Sequence, residues 1–247
     1  MLEYRYFVQL SYKGTNYKGW QRQPNGMTVQ EAIESKLEIL LRSKINTVGC
    51  GRTDTGVHAS QFFLHFDFDQ ELDVDWLIFK MNHLLPEDIA FQKAWAFKED
   101  HHSRYHATER QYHYFLHRTK DPFLNGLSTP LKYDLDIEIM NQAGEYLLGI
   151  KDFASFCKVG SEPKTTLCDL TECYWKQDGH RWVMTISANR FLRNMVRSVV
   201  GTMIDLGRGK ITMEEFREIV AAKDRSAAGT SVPPDGLYLS KVSYPFL

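Results

Sequence analysis

A carboxylate flanked by glycines is the first feature of this sequence that could support chemistry. Asp54 lies in the segment Gly51-Arg52-Thr53-Asp54-Thr55-Gly56-Val57-His58, with an arginine two positions before it. A nearby guanidinium stabilises a carboxylate anion and lowers its pKa, which favours a nucleophile or an anionic stabiliser over a proton donor. The glycines and threonines suit a tight turn whose backbone N–H groups point at the carboxylate. A solvated turn acid beside an incidental arginine is the alternative interpretation.

Three arginines without an acidic residue between them form a second candidate site. On a helix, Arg190, Arg193 and Arg197 would share one face, because their spacing is i, i+3 and i+7. A face that only confers solubility usually alternates its charges, so a purely basic stripe favours phosphate binding or an arginine directed at an active-site anion. Ordinary solvated arginines would give the same pattern.

A segment rich in histidine, arginine and tyrosine is the third candidate. It reads His101-His102-Ser103-Arg104-Tyr105-His106 and is followed by Arg110-Gln111-Tyr112-His113-Tyr114. The histidines lack the H-E-x-x-H spacing of a metal site, and consecutive residues of a strand or loop point apart. Basic side chains interleaved with tyrosines are typical of a surface that stacks on bases and binds phosphates. Tyrosines packed inside a sheet are the alternative.

The composition leaves nucleic-acid binding open and argues against other classes. The 247 residues are 43 % hydrophobic, enough for one large domain or two fused halves. Thirty basic and thirty-one acidic residues give a net charge of −1, which still permits a basic stripe on one face. The apolar runs are too short to cross a bilayer, and the N-terminus lacks a secretory pattern. Four cysteines without a C-x-x-C pair predict reduced thiols and no zinc, so we expect a soluble, cytoplasmic protein.

The predicted elements place the Asp54 segment in a loop between two strands. Strands are predicted over 4–12, 45–51, 61–68 and 89–97, with helices from the capping-box pair Thr28 and Glu31 to Lys44 and over 74–85. The second half is predicted to contain strands over 111–117, 165–175, 182–188 and 236–242, and helices over 137–148, 191–206 and 213–222. Strands and helices alternate in both halves, which indicates an α/β or α+β fold with a mixed or antiparallel sheet. The glycine-rich turn of a nucleotide-binding unit is absent from the sequence.

Several motifs, in the same order, resemble the tRNA pseudouridine synthase A family over nearly the whole chain. Residues 51–59 resemble that family's catalytic loop, a highly specific signature. Further agreement comes from Lys18-Gly19-Trp20-Gln21-Arg22-Gln23, Gly149-Ile150-Lys151-Asp152-Phe153, Phe191-Leu192-Arg193-Asn194-Met195-Val196-Arg197, Ala222-Lys223-Asp224-Arg225 and Pro234-Asp235-Gly236-Leu237-Tyr238-Leu239. The resemblance implies an α+β pseudouridine synthase fold. Two similar α/β halves, residues 1–100 and 101–247, would share a central, mainly antiparallel sheet with flanking helices.

The resemblance implies an isomerase that converts uridine to pseudouridine at positions 38, 39 and 40 of the tRNA anticodon arm. Asp54 would be the nucleophile, and Arg197 would pair with it. Tyr112 would stack on the target base, and Leu237 would shape the pocket. Isomerisation neither oxidises the substrate nor consumes water, so no metal or redox cofactor is expected. A covalent sugar adduct and removal of the C2′ proton both remain open as the first step.

The resemblance also implies how the RNA is bound. A homodimer would hold the tRNA across both subunits, and Arg52 would fix the catalytic loop and contact the RNA backbone. The other RNA-binding candidates are His102, Ser103, Arg104, Lys164, Arg190 and Arg193. The sequence departs from similar proteins after the catalytic strand, where they can carry a basic residue that assists base flipping. This chain reads Asp67-Phe68-Asp69-Gln70-Glu71 there.

Three other functions fit parts of the sequence. Asp54-Thr55-Gly56 is also the D-T-G triplet of aspartic proteases, whose two carboxylates share a proton in a largely apolar setting. Arg52 and the interleaved helices argue against a protease. A non-catalytic RNA-binding protein would retain tRNA without altering it. A synthase acting on other RNAs would differ only in contacts that the sequence outlines.

Overall fold

Nine β-strands and five α-helices form in residues 4–247, the part of the chain that the computed structural model describes. The strands are β1 (Tyr4–Tyr12), β2 (Val48–Gly49), β3 (His58–Phe68), β4 (Ile89–Phe97), β5 (Glu109–His117), β6 (Thr129–Pro130), β7 (Leu170–Asp178), β8 (Arg181–Ala188) and β9 (Leu237–Ser243). The helices are α1 (Val29–Leu41), α2 (Val74–Leu84), α3 (Ile137–Leu148), α4 (Met195–Gly207) and α5 (Met213–Ala222). The α+β class predicted from the sequence is confirmed.

The chain divides into two units whose limits differ from the predicted halves. The first unit contains residues 4–108 and Tyr238–Leu247, and the second contains Glu109–Leu237. Hydrogen bonds explain why residues after 100 belong to the first unit. The backbone N–H of Thr108 donates to the carbonyl oxygen of Ser243 at 2.9 Å, and the Tyr244 hydroxyl donates to the Ser103 carbonyl at 2.5 Å.

In the first unit, β1 lies between β3 and β4 and pairs antiparallel with both. β3 also pairs antiparallel with β2, and it pairs parallel with β9 where His58 lies opposite Tyr238. Aromatic side chains pack across these strands, as where Tyr6 stacks on Phe66 with ring centroids 5.3 Å apart. Because β3 begins at His58, this pairing fixes the end of the Asp54 loop.

In the second unit, β8 lies between β5 and β7 and pairs antiparallel with both, while β6 pairs parallel with β5. The two-residue turn Gly179-His180 joins β7 to β8, and Gly179 adopts a φ of 59° there. Helix α3 packs closely on β7, since a Cβ on Gly144 would lie 2.1 Å from the Cys173 carbonyl oxygen. Antiparallel pairs predominate in both units, as predicted.

The first helix shows how local sequence sets an element's limits. Thr28 is the N-cap of α1, and its hydroxyl accepts a hydrogen bond from the Glu31 backbone N–H at 3.3 Å. The helix ends at Leu41 rather than at Lys44, because Arg42 adopts a left-handed conformation with a φ of 53°. A left-handed residue cannot continue a right-handed helix, so the predicted end was three residues too late.

Three further observations concern the predictions about cysteines, membrane spans and an aspartic protease. The four cysteines are buried free thiols. Among residues 4–247, no helix has both the length and the apolar character needed to span a bilayer. Five helices interleaved with strands are incompatible with the all-β architecture of an aspartic protease.

Candidate active site

The Asp54 loop is fastened to the segment that follows β1. The Thr53 hydroxyl is hydrogen-bonded to the Tyr12 hydroxyl at 2.8 Å in a buried position, and the Thr53 carbonyl accepts from the Trp20 backbone N–H at 3.2 Å. On the other side, the Val57 N–H donates to the Asp54 carbonyl at 3.1 Å and closes the turn. The backbone around the half-buried Asp54 therefore has a fixed path.

Two glycines allow the close approach of that segment to the loop. Gly19 has a φ of 86°, and a Cβ there would lie 2.4 Å from the Thr53 carbonyl oxygen. A Cβ on Gly14 would lie 2.0 Å from the carbonyl oxygen of Val57. Neither position can hold a side chain without displacing the loop. The motif around Gly19 thus has a physical role: it presses its backbone against the residues that flank Asp54.

His58 anchors the end of the loop. Its Nδ1 accepts a hydrogen bond from the Gly14 backbone N–H at 3.0 Å, so a neutral imidazole carries its proton on Nε2. The buried ring stacks on Tyr238 with centroids 4.5 Å apart. The sequence analysis included His58 only as the last residue of the segment 51–58. It did not predict the hydrogen bond between Tyr12 and Thr53. A histidine at the first position of a buried strand was the available signal.

Arg52 does not play the electrostatic role that its spacing from Asp54 suggested. The side chain is exposed, and Arg52 forms no ion pair with Asp54 or with any other residue of 4–247. The two side chains are therefore close in sequence but not paired in the structure described. An exposed guanidinium at the start of the loop is still accessible to an RNA phosphate.

Ser103 is the residue of the histidine-rich segment that differs most from its prediction. It is fully buried, its hydroxyl donates to the Val48 carbonyl at 2.7 Å, and its backbone N–H donates to His65 Nδ1 at 3.1 Å. β2 and β3 occupy its hydrogen-bonding groups, so the Ser103 side chain offers no exposed group for the predicted RNA path. Ser103 orders the segment that carries its exposed neighbours.

Those neighbours form an exposed aromatic and cationic surface. His102 Nδ1 accepts hydrogen bonds from the backbone N–H groups of Arg104 at 3.1 Å and Tyr105 at 3.2 Å. Burial, with the Arg5 charge as a second cause, lowers the pKa of His102. Tyr105 is 74 % exposed, and the Arg104 guanidinium lies 5.8 Å from its ring centroid. Tyr105 was not among the predicted site residues, although its place between basic residues was the signal.

No group of three or more His, Cys, Asp or Glu side chains in residues 4–247 is arranged to hold a metal ion. The histidines of the segment 101–106 instead make ring contacts and backbone hydrogen bonds. His65 lies edge-on to His102 with centroids 4.8 Å apart, and His101 stacks on Phe246 at 3.8 Å. The high number of histidines in this segment therefore reflects how its side chains pack around Ser103.

The acidic stretch after the catalytic strand is partly neutralised. Arg5 forms a two-pronged ion pair with Asp67, with Nε–Oδ1 and Nη2–Oδ2 distances of 2.7 Å. This hydrogen bonding holds the pKa of Asp67 below its usual range. Arg5 also binds Asp100. The stretch 67–71 therefore begins with a paired carboxylate rather than a bare one.

In the second unit, the predicted arginine stripe does not exist as one helix face. Asn194 is left-handed, with a φ of 64°, so α4 begins at Met195 and not at residue 191. Arg190 and Arg193 consequently precede the helix, and Arg197 alone lies on its first turn. The three arginines have the i, i+3 and i+7 spacing in the sequence. The predicted helix face that would contain all three is wrong, because one residue with positive φ interrupts the helix.

Arg197 is held by the chain segment that precedes β9. Its Nε donates to the Val232 carbonyl at 2.7 Å, and the Val232 N–H donates back to the Arg197 carbonyl at 3.1 Å. One residue earlier, the Ser231 hydroxyl accepts from Asn194 Nδ2 at 2.6 Å and from Arg225 Nη2 at 2.9 Å. Sequence reasoning missed Asn194, Arg225 and Ser231 as positioning residues. Asn194 and Arg225 lie in two of the quoted motifs, which was the available signal, whereas Ser231 lies outside them.

Tyr114 relates Tyr112, two residues earlier on β5, to Leu237, which follows a turn that packs on the Tyr114 ring. Tyr112 is half-buried on β5 and meets Phe191 edge-on, with ring centroids 5.1 Å apart. The buried Tyr114 hydroxyl is bonded to Thr129 at 2.7 Å and donates to the carbonyl of Pro233 at 3.0 Å. Burial raises the pKa of Tyr114. The turn 234–236, packed on Tyr114, leads directly to Leu237, which is 5 % exposed.

Lys164 lies in an exposed loop that is tied to the arginine segment. The Lys158 backbone N–H donates to the Arg193 carbonyl at 3.0 Å, which fixes the start of this loop. The side chains of Lys158, Lys164 and Arg193 are exposed, and Arg190 is half-buried. The structure therefore ties the start of the Lys164 loop to the backbone of the arginine segment, although not through a helix face.

Known proteins are similar to this chain over segments that belong to both units. The family model described as tRNA pseudouridine synthase matches residues 10–106 and 143–245. The tRNA pseudouridine synthase A of Parabacteroides distasonis is 48 % identical over 242 residues, which are 98 % of this chain and 96 % of that protein. The protein of the same name from Bacteroides fragilis is 45 % identical over 243 residues, with the same coverage of each chain. That of Caldicellulosiruptor bescii is 37 % identical over 239 residues, covering 96 % of this chain and 98 % of the relative. The chain therefore belongs to the tRNA pseudouridine synthase family, as the order of its motifs predicted.

Proposed function

We propose that this protein converts uridine to pseudouridine in tRNA, with Asp54 as the nucleophile. The observation that carries the proposal is the similarity to tRNA pseudouridine synthase A over nearly the full length of both chains. The rigid loop around Asp54 supports the choice of nucleophile, because hydrogen bonds fix the backbone on both sides of this half-buried carboxylate. A fixed carboxylate loses little freedom when it meets the sugar.

The reaction rearranges atoms without adding any. The bond from uracil N1 to C1′ of the ribose breaks, the base turns, and a bond from C5 to C1′ forms. The proton on C5 is released, and N1 takes up a proton. The Asp54 carboxylate assists departure of the base, either by attacking C1′ or by removing the C2′ proton.

The other site residues have roles in holding the substrate. In this proposal the Arg197 guanidinium pairs with the Asp54 carboxylate, and Tyr112 stacks on the extruded uracil. Stacking offsets the few kcal/mol that removal of a base from its helix costs. Leu237 forms an apolar wall of the base pocket, in agreement with its burial.

We also propose the anticodon arm of tRNA as the target, at positions 38, 39 and 40. A homodimer would bind the RNA across both subunits, in the cytoplasm. The RNA-contacting side chains would be the exposed Arg52, Arg104, Arg193 and Lys164 and the half-buried His102 and Arg190, with Tyr105 added and with Ser103 acting through the backbone.

Tritium release tests the reaction and the nucleophile together. Unmodified tRNA labelled at uridine C5 is incubated with the protein and with Asp54→Ala, and tRNA binding by both is measured separately. Release by the native protein, no release by the variant, and equal tRNA binding are expected. Transcripts with cytidine at 38, 39 and 40 keep their other labelled uridines and should release no tritium. A folded native protein that binds tRNA but releases no tritium would leave the RNA-binding alternative in its place.

A further inference from the structure

A cavity of about 460 Å³ opens in the second unit at the end of β5. Its wall is formed by His117, the last residue of that strand, and by the loop that follows, and its rim carries Arg118, Lys120 and Lys132. This volume lies within the range of small-molecule sites. None of the side chains assigned to the reacting uridine belongs to its wall.

Two buried polar side chains in the wall lack a hydrogen-bond partner. His117 is 7 % exposed and Ser128 is 1 % exposed, and neither His117 Nδ1 nor Ser128 Oγ has a partner within residues 4–247. The backbones of both residues are satisfied, since the Leu131 N–H donates to the His117 carbonyl at 2.7 Å and the Ser128 N–H donates to the Leu124 carbonyl at 3.1 Å. Buried polar groups are almost always bonded, so a ligand that turned these two side chains toward the cavity would satisfy both.

The charges of the cavity fit a nucleotide better than a simple anion. Lys120 and Lys132 are exposed and have no acidic partner in the described chain, whereas Arg118 is bound to Asp134. Two acids also line the cavity: Asp121, which caps the Phe123 N–H at 2.9 Å, and Asp235. A plain phosphate site would avoid carboxylates. Ribose hydroxyls, in contrast, are good donors to an acid, and the 2′-hydroxyl distinguishes RNA.

The apolar part of the wall provides a surface for a base. Pro122, Pro130 and Leu131 contribute to it. His117 lies five residues after Tyr112 on β5, which is about 16 Å along a strand, and an odd offset points to the opposite face of the sheet. The cavity therefore cannot take the base that Tyr112 stacks on.

We infer that this cavity binds a ribonucleotide of the RNA substrate other than the reacting uridine. The base packs on the two prolines and Leu131, and the His117 and Ser128 side chains turn toward it to bond. The ribose faces Asp235, and the flanking phosphates bind Lys120 and Lys132. The inference rests on the proposed function, because tRNA supplies the nucleotide.

Lysine variants test the phosphate contacts. Lys120→Ala and Lys132→Ala should each raise the Kd for unmodified tRNA about threefold and reduce the slope of log Kd against log salt by about one. Lys176→Ala, an exposed lysine on β7, is the matched control and should change neither quantity. Equal effects of all three substitutions on the Kd and on the salt slope would overturn the inference. The proposed function would still stand in that case if the native protein releases tritium.

A second measurement follows the cavity itself. Anticodon-arm RNA should shift the NMR signals of the His117 imidazole and the Ser128 amide, and Ser128→Ala should raise the Kd without changing the salt slope. Uridine and adenosine monophosphates should compete weakly, and inorganic phosphate should not reproduce the shifts. Three results would overturn the inference: no shift with RNA, equal shifts with phosphate alone, or a free nucleotide that saturates the cavity and is not displaced by tRNA.

Discussion

The Thr53 carbonyl oxygen accepts a hydrogen bond from the Trp20 backbone N–H at 3.2 Å, directly before the proposed nucleophile. The same threonine is fixed by the Tyr12 hydroxyl at 2.8 Å. Gly19, between these partners in sequence, has a left-handed backbone that only glycine adopts without strain. The position of the Asp54 backbone is therefore set by residues more than thirty positions earlier.

Gly19→Ala should destabilise the protein and slow the reaction. The methyl group would require a strained φ and would lie 2.4 Å from the Thr53 carbonyl oxygen, so we expect a loss of about 1–3 kcal/mol in the free energy of unfolding. Urea denaturation measures this loss. Gly51→Ala is the control for stability, because no atom lies within 4 Å of a Cβ there. Equal stability of the two variants would contradict the close approach described.

Two substitutions at Asn194 should separate backbone strain from the hydrogen bond to Ser231. Asn194→Gly keeps the left-handed φ of 64° and loses the 2.6 Å bond, whereas Asn194→Ala loses the bond and adds strain. We expect alanine to cost about 1 kcal/mol more than glycine in thermal unfolding. Both should slow tritium release if the start of α4 positions Arg197. An unchanged rate in both variants would show that Asn194 has no positioning role.

Acidification should destabilise the first unit through His65. Burial, with Arg5 as the second cause, lowers the pKa of His65 to about 4, against about 6.5 for an unfolded histidine. The unfolded chain therefore takes up this proton first, so the stabilisation is complete above about pH 6.5 and is lost as the pH falls towards 4. We expect a loss of up to about 3 kcal/mol over that window. His102, whose pKa is also lowered, adds in the same direction.

Urea unfolding at pH 7.5 and pH 5 measures the effect. His65→Asn keeps an acceptor near the Ser103 N–H at a position that does not titrate, and it should reduce the difference between the two pH values. His180→Gln changes an exposed histidine and should leave that difference as in the native protein. A pH dependence that is the same in all three proteins would contradict the assignment to His65.

Neighbouring residues 103 and 105 should respond in opposite ways. Tyr105→Ala removes an exposed ring and should weaken tRNA binding by about 1–3 kcal/mol without affecting unfolding. Ser103→Ala leaves the His65 and Val48 groups without the buried hydroxyl and should lower stability by about 1–3 kcal/mol. Tyr174→Ala, on an exposed face of β7, is the control for loss of a surface tyrosine. Filter binding and urea titration distinguish these outcomes.

The parts of the site that local sequence determines were predictable. Glycines and threonines define the turn at Asp54, and caps and apolar periodicity placed α3 and α5 at their observed limits. The start of α4 was missed because it depends on a hydrogen bond between Asn194 and Ser231, which are 37 positions apart. The burial of Ser103 was missed for the same reason, since its partner His65 lies 38 positions away. A single sequence does not reveal such pairs before the fold is known.

The order of the two units along the chain has a consequence for synthesis. Tyr238 stacks on His58, and the Val242 N–H donates to the Gln61 side chain at 2.8 Å, so the first unit uses residues that follow the whole of the second. A ribosome releases residues 109–237 before it releases these ten. During translation the second unit can reach its native contacts first, while the strand behind the Asp54 loop still lacks its parallel neighbour. A nascent chain stalled before residue 238 would therefore hold Asp54, the proposed nucleophile, in a loop that is not yet anchored on that side.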